Sequence, residues 1–124
     1  MHDLSISQAI AGTVLKEAED QKAKEILSID IEIGELTFLN PEQVKFWLKE
    51  IFKGTSAEET EIHIRKVHSK TRCQDCRWQG RMNVEDDPLY HTYFFIPKCP
   101  RCGSYALTME KGRECKVRRI RVRL

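Results

Sequence analysis

Several things are missing from this chain, and each absence narrows its role. No apolar run approaches the ~20 residues needed to span a bilayer. The opening Met1-His2-Asp3-Leu4-Ser5 has neither a basic leader nor an apolar stretch, so no secretory signal is expected. Charge of one sign is also lacking. With 21 Lys and Arg against 19 Asp and Glu, the formal net charge is +2, which gives little global attraction to nucleic acid or membranes. There is no low-complexity tract, no Walker loop and no cluster of paired carboxylates. A cytoplasmic, reducing setting is expected, where paired cysteines read as metal ligands before they read as disulfides.

What is present begins with two helices and three one-faced strands. Ile6, Ile10 and Val14 recur every fourth residue and place a helix over residues 4 to about 18. Ser28 to Glu35 alternates, with Ile29, Ile31 and Ile33 on one face and Asp30 and Glu32 on the other, as a half-buried strand does. Asn40-Pro41 starts a second helix: Asn40 caps the first free amides, and Pro41 loses nothing at the first helical position. Val44, Trp47, Leu48, Ile51 and Phe52 form its apolar stripe, and Gly54 stops it. Strands follow from Glu61 to Val67 and from Lys116 to Leu124. In the last strand Val117 is out of phase with Ile120, which points to a bulge or a late start.

These elements predict an α/β (α+β) fold: a two-layer sandwich of two helices on a three-stranded mixed sheet. The acidic face of the first strand suits the arginine face of the last, which would make them neighbours. A zinc-ribbon module interrupts this unit. The expected division is residues 1–68 plus 109–124 for the α/β domain and 69–108 for the module.

The module carries the strongest chemical signal, Cys73-Gln-Asp-Cys76 and Cys99-Pro-Arg-Cys102-Gly103. Each CxxC turn presents two thiolates on a tight loop, and two turns complete a tetrahedral shell. An Fe(Cys)4 centre uses the same ligands, but zinc is the commoner occupant. A closed four-thiolate shell leaves no position for substrate, so the metal is expected to be structural. Gly103 permits the positive φ required after a second cysteine. Trp78 and the stretch from Tyr90 to Ile96 supply apolar cover. Cys115 reads as a small, partly buried apolar residue, and His63 and His68 as surface residues.

His2 is a different matter. Methionine removal needs a small second residue, so Met1 stays. Its amine, the His2 amide and the His2 imidazole close adjacent chelate rings, and the Asp3 amide supplies a fourth nitrogen. Such a square suits Ni²⁺ or Cu²⁺. The Asp3 carboxylate is an alternative ligand, or steadies the imidazole from outside.

Together these residues resemble the hydrogenase nickel-incorporation protein family, HypA/HybF. The resemblance runs through Met1-His2-Asp3, the strand end Ile31-Glu32-Ile33-Gly34-Glu35-Leu36, and Val44-Lys45-Phe46. It continues through Phe52-Lys53-Gly54-Thr55 with Ala57-Glu58, both CxxC pairs and Lys111-Gly112-Arg113-Glu114. One departure is Asp3, where the family has glutamate. The resemblance implies a cytoplasmic metallochaperone and not an enzyme. It implies nickel at Met1 and His2 and zinc at Cys73, Cys76, Cys99 and Cys102. The partners it implies are the GTPase HypB and the large subunit of [NiFe]-hydrogenase, with urease served by some members and a homodimer open. Relatives with a long segment between the cysteine pairs bring a histidine towards nickel, which makes His91 a further candidate. The competing reading is a zinc-ribbon nucleic-acid or transcription module, suggested by Arg118, Arg119, Arg121 and Arg123. Against it, those arginines interleave with Ile120, Val122 and Leu124 as in a half-buried edge strand, and the global charge is low for a DNA binder.

Overall fold

A computed structural model describes residues 3–82 and 97–124. Two units emerge, one of Met1–Ile33, Leu39–Lys66 and Cys115–Leu124, the other of Gly34–Phe38 and Val67–Glu114.

In the first unit α1 spans Asp3–Asp20 and buries Ile10, Ala11, Val14 and Ala18. β1 runs Glu25–Gly34, α2 Pro41–Ile51, β2 Glu61–Val67 and β6 Cys115–Arg123, in the sheet order β2-β1-β6. The start of α2 is as expected. The Asn40 side chain accepts from the Glu42 amide at 2.9 Å, and Pro41 opens the helix. Gly54 beyond its end has φ +78. The helices cover one face of the sheet. Ile26, Ile29, Ile31 and Ile33 of β1 join Val14, Val44, Leu48 and Phe52 in a core closed to solvent.

β1 and β6 are antiparallel neighbours, with Asp30 opposite Arg119 and Glu25 opposite Arg123. The phase slip at Val117 is a bulge. Asp30 pairs with Arg119 and Ile31 with Val117, so Arg118 is the extra residue. A second irregularity sets Leu27 aside on β1, between Ile26 and Ser28. Each strand therefore carries one extra residue, and the apolar faces stay aligned over the nine-residue length of β6. On the outer face, Glu32 receives Arg65 of β2 at 2.6 Å and Arg118 of β6 at 3.6 Å, joining all three strands.

The second unit has its own sheet of β3 (Lys70–Cys73), β4 (Gln79–Gly80) and β5 (Leu107–Lys111), in the order β4-β3-β5. A 3-10 turn, Glu35–Thr37, belongs here and not to the preceding strand, which the sequence pattern had carried through to Glu35. Gly34 lies against Gly112 so closely that a Cβ on Gly34 would sit 2.3 Å from the Gly112 carbonyl carbon. Among the described residues, no helix is long and apolar enough to cross a membrane.

Candidate metal centre

The two CxxC turns are near copies of each other. In the first, the Cys73 amide donates to the Trp78 carbonyl at 2.8 Å and the Arg77 amide to the Cys73 carbonyl at 3.1 Å. In the second, the Cys99 amide donates to the Ser104 carbonyl at 2.7 Å and the Gly103 amide to the Cys99 carbonyl at 2.9 Å. The residue after each second cysteine is left-handed: Gly103 at φ +77 as expected, and Arg77 at φ +63. The same turn is thus built once with glycine and once with a residue that pays ~1 kcal/mol for the conformation. β3 delivers the first turn, and its register with β5 brings the second alongside. The Gln74 amide donates to the Ala106 carbonyl at 2.9 Å, and the Ser104 hydroxyl donates to the Asp75 carboxylate.

This scaffold gathers Cys73, Cys76, Cys99 and Cys102 so that their sulfurs all lie within 4.8 Å of one another. Cys73 approaches Cys102, and Cys76 approaches Cys99, each at 3.6 Å. A tetrahedral ion with metal–sulfur bonds of ~2.3 Å sets sulfurs about 3.8 Å apart, so the donor set fits one ion. A disulfide would need ~2.05 Å, and all the cysteines are unbridged.

Electrostatics point the same way. Burial raises the Cys99 thiol, but amides of Cys102 and Arg101, at 3.5 and 3.3 Å from its sulfur, outweigh this and bring it down to about 7. At Cys102 the Ser104 amide favours the thiolate, yet desolvation and the three neighbouring sulfurs push the thiol up to about 12. Cys76 is helped by the Trp78 amide and is also driven up, by desolvation and the thiols of Cys99 and Cys73. One thiolate forms readily, and each further one meets charge already present. A divalent cation removes that penalty and holds all four deprotonated.

Met1, His2 and His91 lie outside the described residues, as does the stretch from Tyr90 to Ile96. Asp3 heads α1. Its Oδ1 accepts the Asn40 amide at 3.3 Å, and its carbonyl accepts the Ser7 hydroxyl at 2.6 Å. The Asp3 carboxylate is thereby engaged at the start of α2. Cys115 packs against the first unit's core, half-buried, and burial pushes its thiol up. His63 is exposed on β2 beside Glu61, and His68 is exposed as well.

One buried group escaped the sequence reading. Glu35 is 3% exposed. Its carboxylate accepts the Ser69 amide at 2.6 Å and a two-pronged donation from Arg81 at 2.6 to 3.0 Å. The Ser69 hydroxyl in turn accepts the Met82 amide at 2.9 Å. Burial alone would raise the Glu35 pKa, but the Arg81 guanidinium and Ser69 overcome it and hold the carboxyl at about 2. An ordinary glutamate sits at 4.5, so this depressed group adds stability that is complete above pH ~4.5 and drains away as pH falls towards 2. Glu35→Gln should cost about 3 kcal/mol at neutral pH, one pKa unit being ~1.4 kcal/mol. Urea unfolding followed through Trp78, in a Trp47→Phe background, should show the native chain losing stability more steeply below pH 4.5 than the variant, the acid loss of the metal being common to both. Parallel slopes for the two proteins would show that another carboxylate controls acid unfolding.

Comparison with known proteins identifies the class to which this fold and centre belong. Residues 1–122 match the family described as "Hydrogenase/urease nickel incorporation, metallochaperone, hypA". The hydrogenase maturation factor HypA of Methanothermobacter thermautotrophicus is 40% identical over 124 aligned residues, covering 98% of this chain and 97% of that protein. HypA of Methanopyrus kandleri is 35% identical, covering 98% and 93% respectively. The solution structure of the Ni metallochaperone HypA from Helicobacter pylori shares the fold, with a TM-score of 0.67 at 16% identity over 99% of this chain and 98% of that one. The chain belongs to the HypA family of nickel metallochaperones for hydrogenase maturation.

Proposed function

We propose that this protein is a cytoplasmic nickel carrier and not an enzyme. It takes Ni²⁺ at its N-terminus and passes it on during maturation of [NiFe]-hydrogenase. The observation that carries this reading is the family match from residue 1 to residue 122, which includes the Met1-His2 opening as well as both cysteine pairs. The partners we assign are the GTPase HypB and the hydrogenase large subunit. Urease, which the family description also covers, is the secondary recipient.

Nickel belongs to the first unit, Met1–Ile33, Leu39–Lys66 and Cys115–Leu124, and zinc to the second, Gly34–Phe38 and Val67–Glu114, so the borders lie a few residues from the expected division of 1–68 plus 109–124 against 69–108. Nickel is held by the Met1 amine, the His2 amide and imidazole, and the Asp3 amide. The carboxylate of Asp3 does a different job: its bond to the Asn40 amide holds the chain entry against α2. Amide ligands bind as anions, and the positive end of α1 favours that deprotonation. His91 is the candidate for a further nickel ligand.

Zinc is the ion assigned to Cys73, Cys76, Cys99 and Cys102. It would neutralise the thiolates and pin the two turns, with no catalytic step at the metal. The nucleic-acid reading loses ground on the sheet, where Arg118 and Arg123 are occupied by Glu32 and Glu25.

Metal analysis of His2→Ala tests the division of labour. The variant should keep about one zinc per chain and lose specific nickel binding, since a closed tetrahedral shell needs only four cysteines. If zinc and nickel were lost together, the two sites would not be separate.

A further inference from the structure

Among the described residues, the first unit leaves one edge of its sheet without a neighbouring strand. β6 is the last strand in the order β2-β1-β6, so one side pairs with β1 and, among the described residues, no strand pairs with the other. A strand with no neighbour on one side is a template for another strand unless something blocks it.

The edge has two further properties. Its outer face is basic. Arg118 and Arg123 are engaged by Glu32 and Glu25. Arg119 stands opposite Asp30 and Arg121 opposite the neutral Ser28, and neither arginine makes an ion pair with the described residues. Its inner face is apolar and incompletely covered. Between the C-terminal half of α1 and β6 runs a groove of about 300 Å³, lined by Thr13, Glu17, Ala18 and Gln21 on the helix and by residues 117–120 and Val122 on the strand, Arg118 and Arg119 among them. Val117, Ile120 and Val122 are half-buried: they pack against the core and stay open towards the groove.

Arginines on an edge strand also guard against aggregation, and a guard alone would account for the charge. It does not account for the open, mainly apolar groove alongside, which has the volume of a few aliphatic side chains. Charge further decides which strand fits. A second copy of β6 would bring arginine against arginine, so self-pairing is disfavoured.

We propose that β6 is the docking edge for an extended segment of a partner protein in which acidic and aliphatic residues alternate. The segment adds as a fourth strand. Its aliphatic side chains fill the groove against α1, and its acidic side chains meet Arg119 and Arg121 on the outer face. Backbone hydrogen bonds supply affinity, and the alternation supplies selectivity. The inference is independent of which metals the chain carries.

The probe is a fluorescent peptide of about ten residues, alternating Glu with Val and Ile, the length of a typical long strand. A second peptide carries Lys in place of Glu. With the full-length protein, the Glu peptide should bind in anisotropy titrations, weaken with salt and slow hydrogen exchange at the β6 amides. Arg119→Glu with Arg121→Glu should weaken it about tenfold or more and transfer preference to the Lys peptide. Thr13→Trp should block the groove and weaken both peptides without a change in charge. Thr13 is an exposed helical residue, so this second variant tests the site even if the arginine variant folds poorly. Failure of the Glu peptide to bind the native protein would overturn the proposal. So would binding that ignores both variants, binding that leaves the β6 amides unprotected, or concentration-dependent self-association through β6.

Discussion

Extending the chain by one or two residues ahead of Met1 should lower nickel affinity by about 100-fold or more, roughly 2.8 kcal/mol, while leaving zinc content and folding unchanged. The reason is chemical. In the proposed chelate the terminal amine is one of the ligands. An extension converts it to an amide and breaks the first chelate ring, yet His2, Asp3 and both helices keep their composition. N-terminal acetylation should act in the same way. Mild acid should also release nickel, because imidazole and amine must shed protons to bind and imidazole titrates near pH ~6.5. Nickel titrations of native and extended proteins at neutral pH, followed by the d–d absorption of square-planar Ni²⁺, decide the matter. Equal affinity would remove the amine from the site and leave His2 with side-chain partners.

The second large effect belongs to the cysteine unit. Its described buried apolar residues are few, essentially Cys73, Cys99 and Met82, while the first unit buries a broad core. A unit of this kind depends on its cross-link. Chelation of the metal, or Cys99→Ser, should therefore unfold β3, β4 and β5. Structural zinc contributes on the order of 10–16 kcal/mol in comparable small modules. Cys99 is the most damaging cysteine to replace, because its sulfur is both buried and the acceptor of two amides. Circular dichroism should retain the signal of α1 and α2, while hydrogen exchange at β3 and β5 rises to that of an unfolded chain. Retention of protected β3 and β5 amides in metal-free protein would mean that the unit is held by packing and not by the ion.

The Glu35 cluster adds a second restraint within that unit. It ties the 3-10 turn after β1 to Ser69 and Arg81, and so links three stretches of chain by one carboxylate. Its partners are 34 and 46 residues away in sequence. Nothing near Glu35 in the sequence distinguishes it from a strand-end glutamate facing water, so the alternation of β1 runs one residue past the end of the strand at Gly34.

The parts of this protein that sequence alone determines are those with local causes. Asn40-Pro41 starts a helix because cap and fixed φ act within one turn. The isoleucines of β1 define an inner face because side chains alternate along any strand. CxxC turns place two sulfurs together within four residues, and the length of the shared motifs reveals the family. Tertiary structure decided the rest. Two bulges, at Arg118 and near Leu27, keep β1 and β6 in register, and only the pairing of both strands makes one compensate the other. Arg77 takes a left-handed conformation because the first turn must match the second around the same four sulfurs. Glu35 became a buried, ionised anchor, and β6 became, among the described residues, an edge strand beside a groove. Both depend on which distant segments arrive nearby, and a side chain's burial, partner and charge state are properties of that assembled neighbourhood, not of the residues on either side of it.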